Sequence, residues 1–486
     1  MAEPHELTAL EQAAALRRRE LSAHELVEHT LSRIDALDAT LGAFVTLTPD
    51  RALEAAREAD RRLAAGSGDD LPPLLGVPTA IKDLAMTAGV RTTFGSPVYA
   101  NFVPDVDDDA ARLLREAGAI SVGKTSTPEF GLPPYTEPAG RPPAVTPWDT
   151  TRLAGGSSGG AGAAVAGGLV AFAHGTDGGG SIRIPAAACG LVGLKTTRGL
   201  VSRGPLGGDP LGMSVSGPLA RTVADAAAML DVLAVAVPGE AYPAAPLPAG
   251  ETYAGHVERA APGRLRIGRY RTPPVPGAEV DPACIAGYER TSELLAGLGH
   301  DVVEFDPGIS PEFLPAFETL WAVLAHAHPV PAEAEPLLAP LTRWWRDRGS
   351  AISAPEYLAA TQAALGVTRT VVGAQADADT GVDVVLTPAL AQLPRPVGWF
   401  TAGGDPAEDF ERQKRFTPFT ATYNITGQPA LSLPVGWGRD ATAPNGPELP
   451  VAVQLVGRPG ADALLLELAA QLEAAAQWCD RRPPTW

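Results

Sequence analysis

Two glycine-flanked serine segments constrain what this chain can fold into more than any other feature. Gly155-Gly156-Ser157-Ser158-Gly159-Gly160 comes first, and Gly175-Thr176-Asp177-Gly178-Gly179-Gly180-Ser181-Ile182-Arg183 follows it. Between them, residues 160–168 are small and read as a helix, and an apolar strand then runs to His174. A helix followed by a strand turns the chain back on itself, so the two serine loops meet and their hydroxyls come within hydrogen-bonding reach. Gly178, Gly179 and Gly180 permit backbone geometries closed to other residues. A tight turn entering a helix can aim several N–H groups at one point, which makes an anion site. Beside a serine nucleophile such a site becomes an oxyanion hole, in which each donor is worth roughly 3–4 kcal/mol.

A serine hydroxyl is a poor nucleophile without a base. His174, at the end of its apolar strand, reads as a structural histidine. Lys82 closes the run Gly76-Val77-Pro78-Thr79-Ala80-Ile81-Lys82-Asp83. Buried at a strand end, its ammonium would lose stability and its pKa would fall, leaving a base; the alternative has it point to solvent beside Asp83. Three other patterns are decoys. Residues 118–125 match GxxxxGK[ST], but that loop needs a strand before it and a helix after it; here a helix precedes and Pro128 follows. Gly156-Ser157-Ser158-Gly159-Gly160 fits the GxSxG elbow with Ser158 central. The elbow needs a preceding strand and a downstream histidine, whereas Asp149 to Arg152 is polar and His300, His326 and His328 have no fitting context. A glycine–serine linker would not run straight into an alanine helix.

The rest of the chain fits a soluble α/β enzyme. Residues 7–64 read as helical, with Ser22 and Glu25 forming a capping box. Short apolar runs then alternate with helices: 77–81, 120–123 and 169–173 as strands buried on both faces, and 108–117 as a helix. A Pro/Ala/Gly-rich stretch, 238–263, reads as a connection. After it, 265–270, 281–298 and 301–305 form a βαβ unit. Helices follow over 307–373, carrying Trp321, Trp344 and Trp345 as core or cleft wall. Strands at 382–386, 430–435 and 451–456 and a closing helix at 461–476 complete the pattern. The 38 basic and 56 acidic residues give a net charge of -18, which argues against nucleic acid as a partner. The three cysteines, Cys189, Cys284 and Cys479, form no metal or disulfide pattern. The start of the chain lacks the basic segment and apolar run of a signal peptide, and no stretch nears the ~20 apolar residues of a membrane span. The expected location is the cytoplasm.

Taken together, GGSSGG, the run from Gly175 to Lys195, the Gly76–Asp83 lysine segment, Gly123-Lys124-Thr125, Ser216 to Arg221 and Asn424 to Gly436 resemble the amidase signature hydrolases, in family order and over nearly the whole chain. The resemblance implies a single α/β/α sandwich domain, 1–486, around a large mixed sheet: N-terminal helices (1–70), the signature core (71–237), the connection (238–263) and the remaining sheet and pocket wall (264–486). It implies a Ser–cis-Ser–Lys triad of Ser181 as nucleophile, Ser157 as cis-Ser and Lys82 as base. The oxyanion hole maps to Gly178, Gly179, Gly180 and Ser181. Ser158 is expected to support the lysine, and Asp177 and Arg183 to hold the nucleophile loop. The carbonyl near Gly131 resembles an acceptor for the substrate amide, and Phe130, Trp399 and Phe400 are candidates for an apolar wall. Gly178 replaces a larger residue common in the family and implies a roomier hole; Thr146 replaces an asparagine. The expected reaction is hydrolysis of aryl or bulky amides, and of carbamates and some esters, through an acyl-enzyme, with no metal or organic cofactor. Aryl acylamidases, nylon-oligomer hydrolases and urethanases are the members it looks most like. A subunit of a tRNA-dependent amidotransferase is the alternative, and a noncatalytic scaffold is disfavoured by the intact triad positions. Oligomeric state stays open, a homodimer being one option.

Overall fold

The computed structural model describes residues 3–66, 71–205, 207 and 209–486. Its strands are β1 (Phe44–Leu47), β2 (Pro78–Lys82), β3 (Ile120–Thr125), β4 (Val145–Thr146), β5 (Asp149–Leu153), β6 (Phe172–Asp177), β7 (Val192–Lys195), β8 (Val215–Ala220), β9 (Arg266–Arg269), β10 (Asp301–Glu304), β11 (Val384–Pro388), β12 (Ala430–Gly438) and β13 (Leu449–Gly457). Eleven of them form one sheet in the order β1-β3-β2-β6-β8-β7-β12-β13-β11-β9-β10, and β4 and β5 form a separate pair. The sheet is mixed. β2 lies parallel to β3 and β6, and β9 lies parallel to β10 and β11, while β12 and β13 are antiparallel.

Side chains alternate across a strand, and β13 shows how both faces are filled. Val453 and Leu455 join the cluster that contains Leu465, Leu468 and Leu472 of the helix Asp462–Ala476. Ala452, on the opposite face, joins Ile184 and Ala187 of the helix Arg183–Cys189. Two helix layers therefore sandwich the sheet. The helix Gly159–Ala166 is buried at every position, which explains its composition: only glycine, alanine and one valine fit. A Cβ on Gly160 would lie 2.3 Å from the Ser126 amide nitrogen and 2.4 Å from the Ala43 carbonyl oxygen.

Several expectations need correction. Residues 44–47 are a strand inside the N-terminal region read as helical, paired to the edge of β3. The polar run Asp149–Leu153 is also a strand, β5, because it pairs with β4 rather than entering the buried sheet. β6 begins at Phe172 and runs on to Asp177, so His174 lies within the strand, fully buried, with Nε2 3.2 Å from Ser216 Oγ. The 238–263 stretch holds the helix Tyr253–Arg259, whose Tyr253 amide donates to Asp231 at 2.6 Å. Strands from both sides of that stretch enter the same sheet. Gly118 ends a helix turn and Lys124 sits inside β3, fully buried, donating to the Ala85 carbonyl and, at 2.9 Å, to Thr92 Oγ1. That lysine is committed to the protein, so the segment is no phosphate loop. Among the described residues, no helix is long and apolar enough to cross a membrane.

The Gly160 contact gives a direct test. Gly160→Val forces a branched side chain against two backbone groups that cannot swing away, and overpacking of this kind costs about 1–3 kcal/mol or more. Urea denaturation of the variant should show a lower midpoint with an unchanged slope.

Candidate active site

The C-terminal ends of β2 and β6 carry the site. Register places Thr79 opposite Phe172 and Ala80 opposite Ala173, so Lys82 at the end of β2 comes beside Thr176 near the end of β6. Lys82 is fully buried. Its Nζ lies 2.8 Å from Ser157 Oγ, 2.9 Å from Thr176 Oγ1 and 3.3 Å from the Thr176 carbonyl oxygen. Burial pulls the ammonium well below its ordinary pKa; the Asp177 charge works against that fall and Arg203 adds to it. The peptide bond Gly156–Ser157 is cis, as the resemblance implied.

The two serine loops do meet, although the contact differs from the expected one. The Ser158 amide donates to the Ser181 carbonyl oxygen at 3.2 Å. No hydrogen bond joins Ser157 Oγ to Ser181 Oγ in this conformation; such contacts commonly tighten only when substrate binds. Ser158 Oγ is fully buried and donates to the Thr176 carbonyl oxygen at 3.2 Å. It therefore reaches Lys82 only through Thr176. No histidine contacts it, which removes the elbow reading. Thr176 is the direct lysine partner that sequence reasoning missed. Its signal was the strand period: once β6 runs past His174, residues 174 and 176 share a face and 176 falls next to the end of β2.

Asp177 fixes the glycine loop. Its Oδ1 accepts from the Gly180 amide at 2.7 Å, and its Oδ2 accepts from the Ile182 amide at 3.1 Å. Arg183 donates Nε to Oδ2 and Nη2 to Oδ1, both at 2.9 Å, and Asn424 Nδ2 donates to Oδ1 at 2.9 Å. Arg183 is itself tied to Gln454 Oε1 and Asn424 Oδ1, each at 2.6 Å. Burial would raise the Asp177 pKa, but the Arg183 charge and these bonds overcome it and hold the carboxyl well below the usual range. One expectation changes as a result. The Gly180 amide is spent on Asp177 and is not free, whereas the amides of Gly178, Gly179 and Ser181 have no acceptor among the described residues. Gly180 is needed for another reason: its φ is +131°, and a Cβ there would lie 2.5 Å from Thr420 Oγ1.

Two cavities open on Ser181. The larger, of about 640 Å³, also exposes Ser157, Thr176, Gly131 and Gly178, and is walled by Phe94, Tyr99, Phe102, Phe130 and Leu324. The smaller, of about 70 Å³, lies over Gly179 and is walled by Ile184, Phe313, Leu314 and Phe317. Leu132 and Trp321 border both. The helix Phe313–Ala327 brings Phe313, Phe317 and Trp321 onto one face by their spacing of four. Trp321 fills the room that Gly178 was expected to leave: a Cβ on Gly178 would lie 3.4 Å from its ring. Phe130 (φ 51°) stacks on His328 at 4.5 Å between ring centroids. A Cβ on Gly131 (φ 70°) would come within 3.1 Å of Ser157 Oγ. Trp399 and Phe400 line neither cavity. Phe400 is buried in a stack on Tyr135 at 4.6 Å, and Trp399 lies under Arg395. Of the other tryptophans, Trp345 is buried against Phe410, its ring centroid 4.6 Å away. Among the described residues no group of three or more His, Cys, Asp or Glu side chains converges on a metal position.

With this geometry in place, comparison decides the family. The family model described as Amidase matches residues 25–466. The chain belongs to the amidase signature family. A putative amidase, AmiB2, of Mycobacterium tuberculosis (strain ATCC 25618 / H37Rv) is 40% identical over 483 residues, covering 98% of this chain and 97% of its own. The 6-aminohexanoate-cyclic-dimer hydrolase of Paenarthrobacter ureafaciens is 34% identical over 496 residues, covering 98% and 96%. A solved structure of 6-aminohexanoate cyclic dimer hydrolase superposes with a TM-score of 0.88 at 31% identity, covering 100% of both chains. A bacterial aryl acylamidase of the same family superposes with a TM-score of 0.85 at 25% identity, covering 98% of both. This amidase is thus a hydrolase acting on amide C–N bonds.

The Asp177–Arg183 pair has both side chains fully buried. Asp177→Ala leaves the Arg183 charge unpaired in the interior, which costs about 3–5 kcal/mol. Denaturant titration should show that loss, while Asn424→Ala, which removes hydrogen bonds and no charge, should cost less.

Proposed function

We propose that this amidase cleaves amides of bulky or aromatic amines through an acyl-enzyme on Ser181, with Ser157 as proton shuttle and Lys82 as base. The observation that carries the proposal is the buried Lys82 Nζ, 2.8 Å from Ser157 Oγ and held on its other side by Thr176. A neutral amine has two N–H groups and one lone pair. Thr176 offers two acceptors, its carbonyl and its hydroxyl oxygen, so the lone pair is left for Ser157. In the reaction the Ser157 proton passes to Lys82 as Ser157 takes the proton of Ser181, and the Ser181 oxygen bonds to the substrate carbonyl carbon. The amides of Gly178, Gly179 and Ser181 receive the oxyanion, a setting where preorganised donors act at full strength. As the tetrahedral centre collapses the C–N bond breaks, and the leaving nitrogen takes a proton from Ser157, which Lys82 replenishes. Water then enters by the reverse of the same relay, releases the acid and restores Ser181.

The aromatic walls of the larger cavity support a bulky amine, and relatives named for a cyclic amide dimer and for aryl acylamides point the same way. A carbamate presents the same carbonyl and C–N bond to the same donors, so it belongs to the same substrate class. The family chemistry needs no cofactor, and one domain, 1–486, carries it because its sheet draws strands from both sides of 238–263.

Ser181→Ala should abolish hydrolysis of an aryl anilide, and Ser157→Ala should retain about 10⁻² to 10⁻⁴ of it, the range lost with a proton relay. Intact-protein mass spectrometry after a fluorophosphonate should place the adduct on Ser181; an adduct on another serine would overturn the assignment. A further outcome follows from the lowered Lys82 pKa. The base acts only when unprotonated, so kcat/KM should rise with pH through an inflection well below the ordinary lysine value of about 10.4 and then level off. Lys82→Ala should remove that limb and harm anilides more than activated esters. Glutamine should be a poor substrate beside the anilide and the matching aryl carbamate.

A further inference from the structure

We propose that the two cavities divide the substrate at Ser181: the smaller one holds a short, uncharged acyl group, the larger one holds the amine, and Phe317 sets the acyl length. This inference rests on the assignment of Ser181, Ser157 and Lys82 given above, and it fixes which side of the scissile bond faces which wall. The argument begins with the proton. The leaving nitrogen must take its proton from Ser157, so it has to lie on the side that Ser157 Oγ faces. Ser157 lines the larger cavity and not the smaller. With the carbonyl carbon on Ser181 and the nitrogen toward Ser157, the acyl substituent points the other way, over Gly179 and into the smaller cavity.

The smaller cavity fits a short apolar chain. Its volume of about 70 Å³ gives room for about five water-sized groups, each taking roughly 10–15 Å³ by the same measure. The larger, at about 640 Å³, takes an aromatic ring with substituents. The polar side chains around the smaller cavity are already engaged. Lys414 pairs with Glu318 at 3.0 Å and Glu411 at 2.6 Å, and Gln413 donates to Asp409 at 2.8 Å. Thr417 Oγ1 lies 2.8 Å from Thr420 Oγ1, and the Thr420 hydroxyl donates to the Gly179 carbonyl oxygen at 2.6 Å. With these groups engaged and the remaining lining apolar, the cavity favours an uncharged acyl chain over a charged one. Phe317 forms the lid: a Cβ on Gly179 would sit 3.4 Å from its Cζ, so the ring lies directly over the loop where the acyl chain must pass. Trp321 stacks on Phe317 at 5.2 Å between centroids and stands between the two cavities.

The test uses two series of anilides with the purified full-length chain. In one, the acyl group grows from acetyl to decanoyl on a fixed aniline; in the other, the aniline grows on a fixed acetyl. In the acyl series kcat/KM should climb by up to about fourfold per methylene, the factor for burying one CH₂, as far as four or five carbons. It should then fall at least tenfold by octanoyl. In the amine series no such break should appear between aniline and naphthylamine. Phe317→Ala should move the acyl break to longer chains, and Phe317→Leu should move it part of the way, with the amine series unchanged in shape. A break in the amine series instead, or an acyl break that stays in place in both Phe317 variants, would overturn the division of the cavities while leaving the Ser181 chemistry standing. Hydrolysis of no anilide in either series would overturn both.

Discussion

The buried bond between Asp177 and Arg183 is what the rest of the site depends on. The Asp177 carboxylate draws in the amides of Gly180 and Ile182 and the Arg183 guanidinium, and it bonds to Asn424 from a distant part of the chain. A three-glycine loop has high conformational entropy, and each fixed residue costs about 1–2 kcal/mol. Without a strong local organiser it would not hold its amides in one direction. The carboxylate supplies that organiser by claiming the Gly180 amide and leaving its neighbours to face the cavity. Arg183 ties the loop in turn to β13 through Gln454 and to the Asn424 segment. The loop is thereby anchored to the sheet beneath it.

How much of this could be read from the sequence follows from the kind of signal each part carries. The glycine–serine segments were legible because runs of glycine around a serine disfavour continuous helix or strand at residues 155–158 and 178–181 and had to be explained by local geometry. Lys82 was legible because a lysine closing an apolar strand stands out. The βαβ unit and the C-terminal strands were legible through their apolar periodicity, to within a few residues. β1 was missed because Phe44–Leu47 is a four-residue edge strand between two long helices, too short for periodicity to register. β5 was missed because its polar residues face outward from a two-stranded pair, where no apolar alternation is required. The substrate walls were the least legible. Trp399 and Phe400 are as aromatic as Trp321, yet only the long-range packing of the helix Phe313–Ala327 over the glycine loop decides which ring faces Ser181. That packing joins residues more than a hundred positions apart, and no local pattern encodes it.

Thr176 shows how one strand boundary controls a functional reading. Ending β6 at His174 puts the histidine at the mouth of the loop and leaves Thr176 out of the strand, away from the lysine. Running β6 on to Asp177 reverses both. His174 becomes a fully buried ring whose pKa is pushed down to about 3, first by burial and then by the positive charge of Arg203. Thr176 moves onto the lysine and gives it two acceptors. The same two-residue extension carries Asp177 to the strand end, where its carboxylate can reach the glycine loop.

The electrostatics of Lys82 balance two opposing demands. A base must lose its proton at moderate pH, which favours burial, yet a carboxylate nearby would keep the ammonium charged. Asp177 lies close enough to raise the lysine pKa, and burial outweighs it. Arg203, the other charge that acts on the lysine, adds to the fall, while Arg183 holds both oxygens of the Asp177 carboxylate in short bonds. The carboxylate that fixes the glycine loop therefore also acts on the base, raising the lysine pKa against the larger effect of burial. Loop geometry and base strength both depend on Asp177, and a substitution there disturbs the two together.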